Sequence, residues 1–261
     1  MELDDAYANG AHIPGAEDFP PLWTAKSEAF RAAHPGVLNQ PYGARPREVF
    51  DLFEPAGEAQ GTVVFVHGGY WISRDKDLWT YLAAGPLARG WRVAMVEYDL
   101  CPDVSVQQIT AQVASAVGAI ADRCPGPLRL TGHSAGGHLV ARMLDPNVAG
   151  GWLDRVAGVV PISPLSDLMP FLRTSMNADL RLDEATARAE SPINQPVPEV
   201  PVIIWVGGAE RPAFLDQARW LGEAWGAEVV VRPGRHHFDI IAGLEDAWSD
   251  LTAAAVGQRE R

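Results

Sequence analysis

One pentapeptide near the middle of the chain has the residue types and spacing of an activated nucleophile. Gly132-His133-Ser134-Ala135-Gly136 follows an apolar run and precedes a helical pattern. In that context a sharp turn from strand to helix exposes the serine hydroxyl, and small residues two positions to either side let strand and helix approach closely. The pattern therefore predicts Ser134 as a nucleophile on a strained turn.

A serine nucleophile needs a base that takes its proton. Two histidines, His236 and His237, stand between the last predicted strand and the last predicted helix, in a loop that can reach the carboxyl edge of a sheet. Asp239 is a candidate N-cap of that helix and would hold the chain beside His237. We predict His237 as the base and His236 as an exposed neighbour.

The base in turn needs an acidic partner that holds one imidazole tautomer. Glu210 comes directly after an apolar run and two glycines, and we favour it for this role. Asp167, which follows an earlier predicted strand, and Asp216, which lies within a helical pattern, are the alternatives. Sequence reasoning leaves all three open.

The stretch HGGYW ends another apolar run with residues that leave the backbone bare. Acyl transfer needs N–H donors aimed at an oxygen that becomes negatively charged. We expect the amides of Gly68, Gly69 and Ala135 to supply them, because the loop after an early strand and the residue after the nucleophile are the usual sources. Tyr70 and Trp71 are candidates for contact with an aromatic substrate, although either could instead pack beneath a lid.

Strand-like and helix-like segments alternate from about residue 46 onward. This alternation predicts an α/β fold with a mostly parallel sheet and helices on both faces. The predicted strands cover residues 47–55, 62–69, 91–100, 127–134, 156–163, 200–208 and 227–234. The helical patterns between them cover residues 76–89, 105–123, 136–144, 212–226 and 239–255.

No linker, repeat or low-complexity tract divides the chain, so we predict a single domain over residues 1–261. Two segments stand outside the alternation of strands and helices. We expect residues 1–45 to form an irregular N-terminal arm. Residues 164–198, rich in Pro, Ser and Met, are expected to form a small cap or lid inserted between core strands, with an ordered surface loop as the alternative.

Several motifs together resemble those of the kynurenine formamidases (arylformamidases), in the hormone-sensitive-lipase-like branch of the α/β-hydrolases. The motifs are HGGYW, VEYDLCPDVSVQQITAQV, GHSAGGHL and HHFDII, and the match runs in order from about residue 41 to residue 241. The resemblance implies the α/β-hydrolase fold and a serine hydrolase that cleaves a small aryl formamide such as N-formylkynurenine. A general carboxylesterase acting on short-chain or aryl esters is the alternative.

The resemblance also carries site residues over by position. It implies a catalytic triad of Ser134, Glu210 and His237. Animal formamidases have aspartate where this chain has Glu210. The implied oxyanion hole consists of three residues: Gly68, Gly69 and Ala135.

Composition restricts the partners that the chain can have. The formal net charge of -12 argues against nucleic acid or an anionic membrane surface. There is no secretory signal pattern, no apolar run of membrane-spanning length, and neither a disulfide framework nor a metal pattern at Cys101 and Cys124. We therefore expect a cytoplasmic enzyme with a small-molecule acyl substrate, without cofactor or metal, for which a homodimer is possible.

Overall fold

The computed structural model describes residues 1–258, which form one eight-stranded sheet flanked by helices. The strands are β1 (Val37–Pro41), β2 (Val49–Phe53), β3 (Thr62–Val66), β4 (Arg92–Val96), β5 (Leu128–His133), β6 (Val156–Ile162), β7 (Ile203–Gly207) and β8 (Glu228–Arg232). They lie in the order β1-β2-β4-β3-β5-β6-β7-β8. β2 pairs antiparallel with β1 and β4, and every other neighbouring pair is parallel. The carboxyl ends of β3 to β8 therefore meet at one edge.

Within residues 1–258, eight α-helices connect and cover these strands. They are α1 (Phe19–Ala33), α2 (Ala84–Ala88), α3 (Val106–Arg123), α4 (Ala135–Arg142), α5 (Asn177–Leu180), α6 (Glu184–Glu190), α7 (Pro212–Trp225) and α8 (Asp250–Ala255). Short 3₁₀ helices occupy Asp5–Tyr7, Gly10–His12, Ala16–Asp18, Lys76–Ala83, Leu153–Arg155, Met169–Arg173, Pro192–Asn194 and Ile240–Glu245. None of the helices within residues 1–258 combines the length and the apolarity that crossing a bilayer requires.

Strand β3 shows how the sheet is buried on both faces. All five of its residues are buried, and alternate side chains point to opposite faces because the period of a strand is two. Val64 and Val66 belong to an apolar core that includes residues of α3, α4 and α7. Val63 and Phe65 belong to a second core with residues of α1, α2 and α8. Continuous apolar runs are typical of such doubly covered strands.

The predicted strands are all present, each shortened at one end or at both. Two of the predicted helical patterns are less regular than expected. Residues 76–89 form a 3₁₀ helix followed by the short helix α2, and residues 239–255 divide into a 3₁₀ helix and α8. Ser249 starts α8 separately, because its hydroxyl accepts from the backbone N–H of Thr252 and so caps a new helix.

The expectation of an irregular N-terminal arm is wrong, because residues 1–45 contain the 15-residue helix α1 and the edge strand β1. Two prolines hid the helix from sequence reasoning, since they lie in its first turn, where no intrahelical N–H is needed. Its buried residues, Trp23, Ser27 and Phe30, share one face at helical spacing. β1 carries no alternating apolar pattern because it is a mostly exposed edge.

Replacing a buried residue of α1 should measure how firmly this segment belongs to the fold. Phe30 is 7% exposed, whereas Leu22 on the same helix is 49% exposed. We expect Phe30→Ala to lower the free energy of unfolding by about 3–5 kcal/mol in urea titrations. Leu22→Ala is the matched control and should change it by no more than about 0.5 kcal/mol. Equal effects would show that α1 does not pack as described.

Candidate active site

Ser134 lies at the junction of β5 and α4 in an uncommon backbone conformation. Its φ is 57° and its ψ is -116°, which is rare for a residue with a side chain. The turn has no room for other side chains: a Cβ on Gly132 would lie 2.3 Å from the carbonyl oxygen of Gly136, and one on Gly136 would lie 2.0 Å from that of Val66. The close approach of strand and helix therefore requires both glycines.

His237 and Glu210 form a buried hydrogen-bonded pair. His237 Nδ1 lies 2.6 Å from Glu210 Oε2, and because a carboxylate only accepts, Nδ1 is the donor. Glu210 Oε1 accepts from the backbone N–H of Gly207 at 2.8 Å and from the hydroxyl of Ser163 at 2.5 Å. Both carboxylate oxygens are thus engaged. His237 Nε2 has no hydrogen-bond partner within residues 1–258, so it is the imidazole nitrogen that can exchange a proton.

The other two acidic candidates serve elsewhere. Asp167 Oδ1 accepts from the backbone N–H of Met169 at 2.9 Å, so this carboxylate organises its own turn. Asp216 is exposed and forms an ion pair with Arg219. Of the three candidates, Glu210 is the one that bonds to His237.

His236 and Asp239 fix the backbone beside His237. Asp239 Oδ1 accepts from the backbone N–H of His236 at 2.7 Å. The expected side-chain cap by Asp239 is absent from the 3₁₀ helix Ile240–Glu245 that follows it. The carboxylate reaches backward instead, which still holds the loop in place.

Ser163 is a site residue that sequence reasoning missed. It directly follows β6, is fully buried, and has a φ of 46°. Its backbone N–H donates to the carbonyl of Trp205 on β7, which turns its hydroxyl towards Glu210. Its position at the carboxyl end of a core strand, beside the strand that precedes Glu210, is the signal that could have identified it.

Ser134 and His237 both line a cavity of about 370 Å³ at the carboxyl edge of the sheet. The walls are mainly aromatic and small. The lining residues are Tyr7, Ala8, Asn9, Gly10, Ala11, Trp23, Gly68, Gly69, Tyr70, Ser73, Arg74, Trp79, His133, Ser134, His237 and Phe238. A larger groove of about 770 Å³ beside α3 includes neither Ser134 nor His237 among its described lining residues. The smaller cavity is therefore the candidate active site.

The N-terminal segment, not the expected lid, borders this cavity. Residues 7–11 and Trp23 contribute to its wall, whereas none of the described lining residues comes from residues 164–198. That insertion instead supports the wall from behind: the ring of Phe171 lies 4.7 Å from that of Tyr7 and 6.1 Å from that of Tyr70, between ring centroids. The sequence predicted a lid at residues 164–198 and assigned no part of the cavity wall to residues 1–45.

The backbone after β3 lies against the nucleophile. A Cβ on Gly68 would lie 3.1 Å from the Cβ of Ser134, and one on Gly69, whose φ is 122°, would lie 2.1 Å from the carbonyl oxygen of Ser73. Within residues 1–258 the N–H groups of Gly68 and Gly69 have no hydrogen-bond acceptor. Ala135 is the first residue of α4, so its N–H has no intrahelical acceptor. These amides are available to an oxyanion.

The two aromatic residues that follow have different environments. Tyr70 lines the cavity, and its hydroxyl donates to the carbonyl of Tyr7 at 2.6 Å and accepts from Asn9 Nδ2 at 3.1 Å. Trp71 is completely buried and its Nε1 donates to His138 Nδ1 at 3.3 Å. The expectation that Trp71 contacts substrate is corrected to a packing role, because its ring faces the core.

The buried carboxylate of Glu97 anchors the loop that runs from His67 to Lys76. Its Oε1 accepts from Arg47 Nη2 at 2.5 Å and lies 3.1 Å from His67 Nε2. Its Oε2 accepts from the backbone N–H of Lys76 at 2.9 Å. Burial acts to raise the pKa of Glu97, but His67 and Arg47 beside it outweigh burial and lower that pKa. Both ends of the loop are thereby tied to one ionised group.

Two further histidines near the site are buried and neutral. Burial lowers the pKa of His133, whose ring centroid lies 4.5 Å from that of His237, well below its ordinary value. Burial also lowers the pKa of His138, to about 3. Because His138 Nδ1 accepts from Trp71, its Nε2–H donates to the carbonyl of Glu190 at 2.7 Å. If Nδ1 of His138 were protonated, its N–H would face the N–H of Trp71 Nε1 and the hydrogen bond between them would be lost.

Comparison with known proteins gives consistent results. Residues 63–195 match the family profile of the alpha/beta hydrolase fold. The chain is 30% identical to kynurenine formamidase of Salmo salar over 87% of this chain and 83% of that protein. It is 31% identical to kynurenine formamidase of Drosophila melanogaster over 75% of this chain and 72% of that protein.

Solved structures show the same fold. A crystal structure of a candidate thioesterase from Silicibacter sp. tm1040 is 54% identical, with a TM-score of 0.97 over 98% of this chain and 99% of that chain. Esterase 2 of Thermogutta terrifontis, in its apo form, is 20% identical, with a TM-score of 0.69 over 87% of this chain and 97% of that chain. The second likeness concerns the fold alone.

The burial of neutral His138 predicts a pH dependence of stability. Its pKa falls from 6.5 to about 3 on folding, so the unfolded chain binds this proton first as the pH drops. The stabilisation is complete above pH 6.5 and is lost towards pH 3, by up to about 1.4 kcal/mol per pH unit. Urea titrations from pH 7 to pH 4 should show a shallower decline for His138→Gln. An unchanged slope would contradict this assignment.

Proposed function

The chain is a hydrolase that belongs to the kynurenine formamidase family of the α/β-hydrolase fold, and we propose that it hydrolyses a small aryl formamide. The observation that carries the proposal is the shared cavity, which is lined by Ser134 and His237 and by aromatic side chains. The 2.6 Å contact between His237 and Glu210 prepares the imidazole to act as a base. N-Formylkynurenine represents the substrate class.

In the first half of the proposed reaction, Ser134 Oγ attacks the formyl carbon while His237 Nε2 takes the hydroxyl proton. The formyl oxygen becomes negatively charged in the tetrahedral intermediate and receives hydrogen bonds from the amides of Gly68, Gly69 and Ala135. Collapse of the intermediate breaks the carbon–nitrogen bond. His237 returns its proton to the leaving nitrogen, which departs as the free aryl amine.

In the second half, water attacks the formyl ester of Ser134. His237 takes a proton from the water, and the same amides stabilise the second tetrahedral intermediate. Breaking the ester bond releases formate and returns the proton to Ser134. Throughout, Glu210 stays ionised and holds the imidazole in one tautomer.

Two features support an aryl formamide in particular. Aromatic walls suit an aromatic leaving group, since stacked or edge-on rings add to the gain from burial. Asn9 is 6% exposed and lines the cavity, yet its Oδ1 has no hydrogen-bond partner within residues 1–258. A formamide N–H could satisfy such an acceptor, whereas an ester has no N–H to donate.

The proposal also includes a cytoplasmic location, and it is compatible with a homodimer.

Ester or thioester hydrolysis is the second candidate function. It is favoured by the 54% identity to a protein described as a candidate thioesterase. Esters and thioesters have better leaving groups than amides, so the same nucleophile, base and amides would cleave them. The two candidates share every proposed catalytic residue and differ in the acyl group and the leaving group of the substrate.

A matched set of substrates separates these candidates. N-Formylkynurenine should be cleaved with a kcat/KM of at least ~10⁴ M⁻¹s⁻¹, within the ordinary range of enzymes for their own substrates. An aryl acetate and an acyl thioester of similar size should be cleaved less efficiently. Release of amine, phenol or thiol is followed spectroscopically. Rapid cleavage of the ester or thioester beside negligible formamide hydrolysis would exclude the formamidase proposal.

Exchange of Glu210 tests the proposed triad. In Glu210→Gln the carboxamide no longer favours the required tautomer or the imidazolium, so kcat should fall by roughly 10³–10⁴-fold. Circular dichroism should show the fold retained. Asp216→Asn, which removes an exposed carboxylate from α7, is the matched control and should keep wild-type kinetics. A near-normal rate for Glu210→Gln would return the role to Asp167.

A further inference from the structure

Among the described residues that line the cavity, Arg74 is the one arginine, and no lysine, aspartate or glutamate is present there. The other lining residues are aromatic, small or neutral and polar. The chain as a whole has a net charge of -12. A positive charge at the cavity is therefore opposite in sign to the average surface, and this points to an anionic ligand.

The backbone of Arg74 is held in an uncommon conformation beside the proposed oxyanion hole. Its φ is 78°, which costs free energy for a residue with a side chain. Its carbonyl accepts from Arg47 Nη2 at 2.7 Å, the same nitrogen that donates to Glu97. Its Cγ lies 3.0 Å from the place that a Cβ on Gly69 would take. The start of the side chain therefore lies next to Gly69, one of the residues proposed to form the oxyanion hole.

The guanidinium of Arg74 is exposed and forms no ion pair within residues 1–258. The carboxylates around this loop are engaged by other groups. Glu97 binds Arg47, and Asp51 and Asp77 both bind Lys76. The N–H donors of the Arg74 guanidinium are therefore available to bind a ligand.

We propose that Arg74 binds a carboxylate on the leaving group of the substrate. The substrate is then an amide or ester whose leaving group is an aryl amine or phenol that carries an anionic carboxylate. A planar guanidinium matches a carboxylate through two parallel hydrogen bonds. The inference rests on the proposed acyl transfer at Ser134, but it does not depend on whether the acyl group is formyl or the leaving atom is nitrogen.

Two substrate pairs test the proposal. One pair is formanilide and its ring-carboxylated analogue, and the other is phenyl acetate and its ring-carboxylated analogue. For each pair the ratio of kcat/KM, carboxylated over neutral, is measured in the wild type and in Arg74→Gln. Loss of a charge-assisted hydrogen bond should lower this ratio by about 10–100-fold, mainly through KM. In the wild type the ratio should also fall as salt rises from 0.05 to 0.5 M.

Controls separate local binding from other effects. Arg188→Gln removes the same charge from an exposed site on α6, outside the cavity lining, and should leave the ratio unchanged. Arg74→Lys should retain part of the preference. The proposal is overturned if Arg74→Gln lowers kcat/KM equally for both members of a pair, or if Arg188→Gln has the same effect as Arg74→Gln.

The two substrate pairs also keep this proposal distinct from the proposed function. Cleavage of the acetates without the formanilides would contradict the formamidase function, while the acetate pair would still report on Arg74. If neither pair turns over, calorimetry with benzoate and benzamide gives the comparison at equilibrium. Preference of the wild type for benzoate that is lost in Arg74→Gln supports the assignment, and equal binding of the two compounds overturns it.

Discussion

The site depends on the tight backbone turn at Ser134. A φ of 57° at a serine is unfavourable in isolation, so the surrounding packing has to maintain it. β3 and β5 run parallel on one side, and α4 starts on the other with Gly136 against the carbonyl of Val66. The same crowding brings the backbone of Gly68 next to Ser134. The constraint that exposes the hydroxyl thereby also places amides beside it.

Parts of the chain that are distant in sequence supply the other residues of the site. β7 and the loop after β8 bring Glu210 and His237 together, and the loop after β3 is anchored through Glu97. The first residues of the chain supply Tyr7 and Asn9 to the cavity wall. The parallel sheet makes this assembly possible, because the carboxyl ends of its strands meet at one edge.

Local patterns predicted the parts of the site in which neighbouring residues create the geometry. The turn at Ser134 is of this kind, because its glycines and the flanking strand and helix are all adjacent in sequence. The choice of Glu210 over Asp167, the hydrogen bond from Ser163 and the burial of Trp71 depend on contacts across many residues. No periodicity encodes such contacts. The wall contributed by Tyr7 was missed for the same reason, and prolines concealed the helix that follows it.

The most direct test of the account is a crystal structure of the enzyme after reaction with an aryl phosphonate that mimics the tetrahedral intermediate. We expect phosphorus to be bonded to Ser134 Oγ, with the phosphonyl oxygen about 2.7–3.1 Å from the amide nitrogen of Ala135 and from that of Gly68 or Gly69. His237 Nε2 should face the oxygen that carries the leaving group. An adduct on another residue, or a phosphonyl oxygen directed to solvent, would contradict the account.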